Sequence, residues 1–551
     1  MRVRGILGVL LSLFSSAALF AAPRGPDLIS QSRLLENTST LASDTFEGRG
    51  PGTHGEDLTV EFLVSKFKAL GLSPGLPDGS WTQKVPIIGI KSEVQATFGL
   101  DKLTFPQDFV AWSPKQKESV SVEESDMVFV GYGIEAPEYQ WDDYKGTDLH
   151  GKTLVMLIND PPIPDPVDST KLDANVFKGD AMTYYGRWTY KFEEAARRGA
   201  AAAVIIHETK PAAYPWFVVI NSWGREKFDL DGSTAPTVKV ASWISLEYAR
   251  KLFAATGLSF ETLKRSAQTR EFQPVDLGVR ASFTAHNTIR SVESRNVLAK
   301  RVGSDPKLRD EYVIYTAHWD HLGTNNLPDT SDHIFNGAAD NAIGAAGLLE
   351  LAAAFADTNT APKRSIVFAA VTAEEQGLLG AAYYASHPAY PLKNTLANIN
   401  IDGLNQWGKT KDIRVVGYGN STLEDVLQKA VTQQKRVMLP EAHPERGTFY
   451  RSDHFEFAKV GVPALYLHSG NDYKDKPPGY GEKRVNEYLD QDYHKVSDEV
   501  KPEWDLSGAV EDLRLLYATG FSVAGDRKWP VWKVGSEFKG VRELYWDPKK
   551  H

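Results

Sequence analysis

Three apolar segments in the second half of the chain each end on a side chain able to bind a metal, and this coincidence constrains the fold more than any other feature. Residues 312–317 run into His318-Trp319-Asp320, residues 365–371 into Glu374-Glu375, and residues 398–401 into Asp402. Apolar runs of roughly 4–8 residues read as buried strands. Between the first two, Gly337-Ala338-Ala339-Asp340-Asn341 opens a small-residue helical pattern that continues through Phe355. Strands alternating with helices predict a mainly parallel sheet covered on both faces, with ligands gathered at the carboxyl edge of the strands. Residues 421–433 and 506–523 continue the helical pattern.

The rest of the chain divides around that stretch. Met1-Arg2-Val3-Arg4 followed by an apolar run from Ile6 to Phe20 has the form of a secretory signal, with cleavage expected after Ala21. The run is shorter than the ~20 residues of a membrane span, so no stable membrane anchor is expected. A protein exported in this way would be periplasmic or secreted. It would have to hold its fold without disulfides, because there is no cysteine in 551 residues. The net charge of −9 is dispersed and leaves no basic stripe of the kind nucleic acid requires. A second unit, with strands over residues 128–133, 153–158 and 201–206 and a helix over 190–198, interrupts the pattern. The expected organisation is a signal peptide at 1–21, a catalytic domain at 22–126 and 282–525, an inserted β-rich domain at 127–281 and a C-terminal tail at 526–551.

Each candidate also has a structural explanation. A lone histidine after a strand is more often structural, but Asp320 two residues past His318 supplies the carboxylate that commonly fixes the tautomer of a metal-bound imidazole. Asp340 falls where a helix cap would help. Glu374-Glu375 fits the acidic first turn of a helix, although adjacent side chains point differently, so one can ligate while the other takes a proton. Asp402, at the end of an apolar strand, needs a compensating partner that a cation would provide. For a further imidazole, His443, His454, His468 and His494 compete, and spacing does not choose among them. Two histidines with three acidic residues, one of them bridging, suffice for two ions about 3.5–4 Å apart.

Taken together, Ala317-His318-Trp319-Asp320, Gly337-Ala338-Ala339-Asp340-Asn341, Ala373-Glu374-Glu375-Gln376-Gly377, Ile401-Asp402-Gly403, Ser452-Asp453-His454 and Asp492-Tyr493-His494 closely resemble the co-catalytic zinc exopeptidases related to bacterial leucyl aminopeptidase and glutamate carboxypeptidase. The resemblance implies two zinc ions per chain: His318 and Asp402 on one, Glu375 and His494 on the other, and Asp340 bridging. It also implies Glu374 as general base and Asp320 as the partner of His318. Asp453 and His454 would lie nearby in support, and Tyr450 would be an oxyanion donor.

The second unit resembles a protease-associated domain through Phe129-Val130-Gly131-Tyr132-Gly133-Ile134, Trp141-Asp142-Asp143-Tyr144 and Tyr184-Tyr185-Gly186-Arg187-Trp188-Thr189-Tyr190-Lys191. Such a domain can wall the substrate cleft, with Tyr185, Arg187 and Arg451 as candidate contacts, or serve only folding and interaction. The glutamate-specific relatives hold a substrate carboxylate with arginine clusters, whereas here only Arg187, Arg446 and Arg451 stand near the expected cleft. The expectation is therefore an aminopeptidase acting on peptides, with aromatic loops around an apolar N-terminal side chain. A carboxypeptidase, a dipeptidase and a non-catalytic receptor-like protein are the alternatives.

Overall fold

The computed structural model describes residues 24–325, 331–357, 359 and 361–546, so the expected signal peptide lies outside the described residues. In chain order, helices α1 (Gln31–Leu41) and α2 (His54–Ala69) precede strands β1 (Thr82–Phe98), β2 (Phe109–Trp112), β3 (Ser119–Phe129) and β4 (Thr153–Leu157). Next come α3 (Trp188–Arg197), β5 (Ala202–Ile206), α4 (Trp216–Trp223), β6 (Val240–Ile244), β7 (Val275–Arg301) and β8 (Tyr312–His318). The rest of the chain supplies α5 (Ile343–Ala356), β9 (Ser365–Val371), β10 (Thr395–Asn400), β11 (Asp412–Val416), α6 (Leu423–Gln433), β12 (Val437–Pro440), β13 (Ala464–Ser469), α7 (Tyr480–Gln491) and α8 (Ser507–Gly525).

Hydrogen bonds join the strands in the order β12-β11-β13-β10-β8-β9-β7-β3-β4-β5-β6-β2, with β1 paired to β7. The centre, β13-β10-β8-β9, is parallel throughout. Every residue of β8, β9 and β10 is buried, as expected of strands covered on both faces. Helix α5 is buried from Ile343 to Phe355, and its alanines and glycines let it lie close to the sheet. Among the described residues, the stretch Ala338–Ala356 has the length and apolarity of a membrane span, but 94% of it is buried inside the protein, where it forms a core helix.

Strand β7 connects the two halves. Its first part pairs with β3, its middle with β1 and its last residues with β9. Burial alternates over the first part and becomes continuous from Asn296 to Ala299, so one strand passes from a sheet wet on one face to a sheet covered on both. The boundaries expected at 126/127 and 281/282 accordingly fall inside β3 and β7. The ladder runs through both units, with register shifts between Asp276 and Arg280 and between Ala281 and Phe283 and with positive φ at Glu124 and Gly278. The second unit lies between the paired strands β1 and β7, and it carries helices α3 and α4 as well as the parallel strands β3-β4-β5-β6.

Residues 526–546 do not form a free tail. Trp529, Trp532, Phe538 and Trp546 are buried, and the Arg542 guanidinium donates to the carbonyls of Leu392 and Thr395 at 3.0 and 2.8 Å. These four aromatic side chains belong to the core, whereas Tyr545 stays exposed.

Candidate metal centre and substrate cleft

The three predicted strand ends converge. His318 closes β8, Glu374 and Glu375 follow β9 in a short 3-10 turn, and Asp402 follows β10. Asp340 reaches the same point from the irregular turn before α5, where its peptide bond to Asn341 is cis. Asp498 holds that turn by accepting the backbone N–H groups of Ala339 and Asp340 at 3.0 and 3.1 Å. Asn341 links it to the Asp402 loop, its Oδ1 accepting from Gly403 N at 2.9 Å and its Nδ2 donating to Ile401 O at 3.0 Å.

The geometry divides into two sets that share Asp340. His318 Nε2 lies 3.5 Å from Asp340 Oδ1 and 3.4 Å from Asp402 Oδ1. His494 Nε2 lies 3.3 Å from Asp340 Oδ2 and 3.1 Å from Glu375 Oε2. Zinc–ligand bonds of about 2.0–2.1 Å in a tetrahedron set ligand atoms roughly 3.3–3.4 Å apart, close to these spacings. Among the described residues, no lysine or arginine pairs with these carboxylates; histidines alone do. Clustered, half-buried carboxylates with no lysine or arginine in ion-pair contact favour a bound cation, and mixed imidazole and carboxylate donors suit zinc.

His321, which was not among the expected residues, stands at the same centre. It is fully buried, and together with Asp340 and Glu375 it forms a second metal-capable group. Its Nδ1 is 2.6 Å from Glu375 Oε1. That is hydrogen-bond length and too short for two ligands of one ion, so His321 donates to the outer oxygen of Glu375 while His494 faces the inner one. His318 Nδ1 meets the Asp320 backbone carbonyl at 3.2 Å, with the Asp320 carboxylate 3.7 Å away, and Asp320 Oδ1 accepts the Glu374 N–H at 3.1 Å, so Asp320 ties the imidazole to the loop that carries the expected base.

Charge follows this geometry. Burial raises the Glu374 carboxyl well above its ordinary range, with Asp402, Glu375 and Asp453 adding to the effect. For Glu375, burial is outweighed by His494 and His321, which hold it well below the ordinary carboxylate range. Burial opposes protonation of His494, but Glu375 and Asp340 lift it to about 9.

The other expected residues take the following positions. Tyr450 lines the cleft, but its hydroxyl donates to Glu537 at 3.1 Å, which removes the O–H expected to meet an oxyanion. Tyr185 turns away: its hydroxyl donates to Glu138 and its ring packs on Tyr139, Phe177 and Tyr190, while Tyr184 takes the cleft position. Asp453 and His454 are fully buried beside the centre without lining the cleft, and their polar side-chain atoms have no hydrogen-bond partner among the described residues. Burial depresses His454 to about 3. Arg187 and Arg451 both line the cleft.

Two cavities meet at Glu374 and Glu375. One, of about 300 Å³, opens between Asp340, Asp402, Tyr466, His443 and α7. The other, of about 210 Å³, lies between the metal-capable residues and the second unit, with Tyr184, Arg187, Trp223, Lys227 and Arg451 on its wall. Helix α4 also supports the centre directly. Ser222 Oγ is 3.0 Å from His494 Nδ1, and Asn221 Nδ2 donates to the His494 carbonyl at 3.0 Å.

Residues 296–518 match Peptidase family M28. A probable zinc metalloprotease of Pyrenophora tritici-repentis is 34% identical over 142 residues, 26% of this chain and 27% of the relative. A vacuolar membrane protease of Lodderomyces elongisporus is 30% identical over 132 residues, 24% of this chain and 12% of the relative. The chain thus spans about a quarter or less of the length of these curated relatives. The solved aminopeptidase from Aneurinibacillus sp. strain AM-1 shares the fold, with a TM-score of 0.52 at 18% identity over 91% of this chain and 95% of that one. The match makes residues 296–518 similar to Peptidase family M28, a zinc metallopeptidase likeness with which the ordered strand ends and the acid-rich centre agree.

Proposed function

We propose that the protein is an exported aminopeptidase that removes unblocked N-terminal residues from peptides with two zinc ions per chain. The observation that carries this assignment is the division of Asp340, whose two oxygens face two separate donor pairs at 3.3–3.5 Å. His318 and Asp402 would hold one ion, Glu375 and His494 the other, and Asp340 both. Bound zinc would supply Lewis acidity and lower the pKa of water to near neutrality.

The chain's own residues do the rest. Glu374 stands 4.0 Å from His318 Nε2 at the junction of the two cavities and ligates neither ion in this arrangement. Its burial keeps its proton affinity high, so it takes the proton of the attacking water and delivers it to the leaving amine. Asp320, bonded to the Glu374 backbone, keeps base and imidazole in register. Export rests on the signal-like residues 1–21, and the second unit would act as a protease-associated domain walling one side of the cleft.

The test is one peptide in two blocked forms. Acetylation of its N-terminus should abolish cleavage and amidation of its C-terminus should leave cleavage at the N-terminal bond. The reverse result moves the assignment to a carboxypeptidase.

A further inference from the structure

Arg187 is 7% exposed, yet its guanidinium makes no hydrogen bond and no ion pair among the described residues, and its Nε is fully enclosed. Arg451 stands close enough to repel it, and has as its own polar contact the Tyr493 hydroxyl at 3.0 Å, with the Tyr214 ring 5.4 Å away. Lys227 is 5% exposed and, among the described residues, has no acidic partner within 4 Å; its Nζ lies 5.9 Å from the centre of the Trp223 ring. All three line the 210 Å³ cavity that also touches Glu374, Glu375 and His494.

Two buried cations, Arg187 and Lys227, and the half-buried Arg451 face one cavity with no ion pair among the described residues, a costly arrangement unless something anionic completes it. The acids on the same wall make no ion pair with them, although Glu375 attracts Lys227 and Glu374 attracts Arg451 from beyond 4 Å. Glu193 accepts from the Tyr184 hydroxyl, Glu456 is paired with Lys459, and Glu374 and Glu375 belong to the metal centre. A carboxylate matches the forked donors of a guanidinium. Because the cavity abuts the base, the anion must belong to a residue flanking the bond that is cut.

We propose that this cavity binds a carboxylate of the substrate, with Arg187 and Arg451 as donors and Lys227 as a third charge; this rests on the peptidase assignment above. The carboxylate is either the C-terminal group of a dipeptide or the side chain of an acidic residue beside the scissile bond. The preference would then be acidic, in contrast to the apolar one expected from the aromatic loops. Those rings supply the dry walls that strengthen the charge contact.

The experiment measures kcat/KM of the zinc-loaded protein on two matched pairs: Ala-Ala against Ala-Ala amide, and Glu-Ala amide against Gln-Ala amide. We expect wild type to favour the carboxylate member of one pair by ~10- to 100-fold, the usual worth of a charge-assisted contact. The favoured pair identifies the source of the carboxylate. Arg187→Gln and Lys227→Gln should each lower that ratio, by ~10-fold or more for Arg187. Wild-type ratios near one in both pairs overturn the proposal whatever the variants do. Equal loss on both members of the favoured pair in Arg187→Gln, with zinc content retained, would make the guanidinium structural and also overturn it. Cleavage of N-acetylated peptides would sink the aminopeptidase assignment instead, while the ratios would still report on the cavity.

Discussion

The imidazole of His321 donates to one oxygen of Glu375 while His494 faces the other, at 2.6 and 3.1 Å. Two histidines on one carboxylate then have different consequences when removed. His494→Ala should lower zinc from about two ions per chain to about one. His321→Ala should retain both positions but weaken the second ion by ~10- to 100-fold, as is usual for loss of a group that orients a ligand. Elemental analysis after dialysis against graded chelator distinguishes them, and equal stoichiometric loss in both variants would make His321 a ligand.

Glu374→Gln keeps shape and removes the proton acceptor. Turnover should fall by ~10²–10⁴ with zinc content and melting temperature unchanged. Unchanged turnover would remove Glu374 from the mechanism.

The buried Arg49 guanidinium donates to four carbonyls, those of Leu41, Trp319, Asn336 and Gly337, at 2.6–2.8 Å. It closes a turn in which Glu47, Gly48 and Arg49 all have positive φ, and a side chain on Gly48 would collide with the carbonyl oxygens of Gly323 and Phe335. Arg49 therefore fixes the loops that deliver Asp320 and Asp340. Arg49→Met should cost ~2–4 kcal/mol in denaturant unfolding, because the carbonyls lose charged donors, and should lower zinc affinity as well. A change below ~0.5 kcal/mol would show that the clamp is dispensable.

Ser222 carries the second unit's contact with the metal centre. Ser222→Ala removes the bond to His494 Nδ1, and zinc affinity should fall by ~10-fold or more while the fold is kept. Unaltered affinity would mean that α4 only shields the histidine.

His207 is 3% exposed among Tyr214, Trp216 and Trp243, and burial lowers its pKa from 6.5 to about 4, against a small opposing effect of the Tyr214 carbonyl. The folded value lies below the unfolded one, so the unfolded chain binds the proton first. The stabilisation is complete above pH 6.5 and is lost as pH falls toward 4. His207→Phe should flatten the stability–pH curve in that window, and an unchanged slope would place the acid sensitivity elsewhere.

What was legible in the sequence follows from where information is local. His318, Glu374, Glu375 and Asp402 end apolar strands, so period and position coincide. His494 does not: it sits at φ 57° in a loop after α7, and only the family resemblance singled it out. His321 had a signal, a second imidazole one residue past Asp320, but a loop histidine with no periodic context does not announce that it turns inward. Arg187, Lys227 and Arg451 are separated by at least 40 residues along the chain and meet only through the packing of two units, so no window of sequence contains their cavity. Tyr184 and Tyr185 were indistinguishable as neighbours, and the short turn that carries them decided which one faces the cleft.

Strand β7, 27 residues long, is threaded through both halves of the protein. A hinge requires a few residues whose dihedral angles can swing freely, and the unbroken pairing of β7 with β1 from Ala281 to Val297 supplies none along that stretch. The wall opposite the metal centre would then behave as a fixed jaw and not as a gate, with its gauge set when the chain folds. Such a gauge admits the loose end of a peptide and turns away a folded domain, and its two halves should melt together as one calorimetric transition.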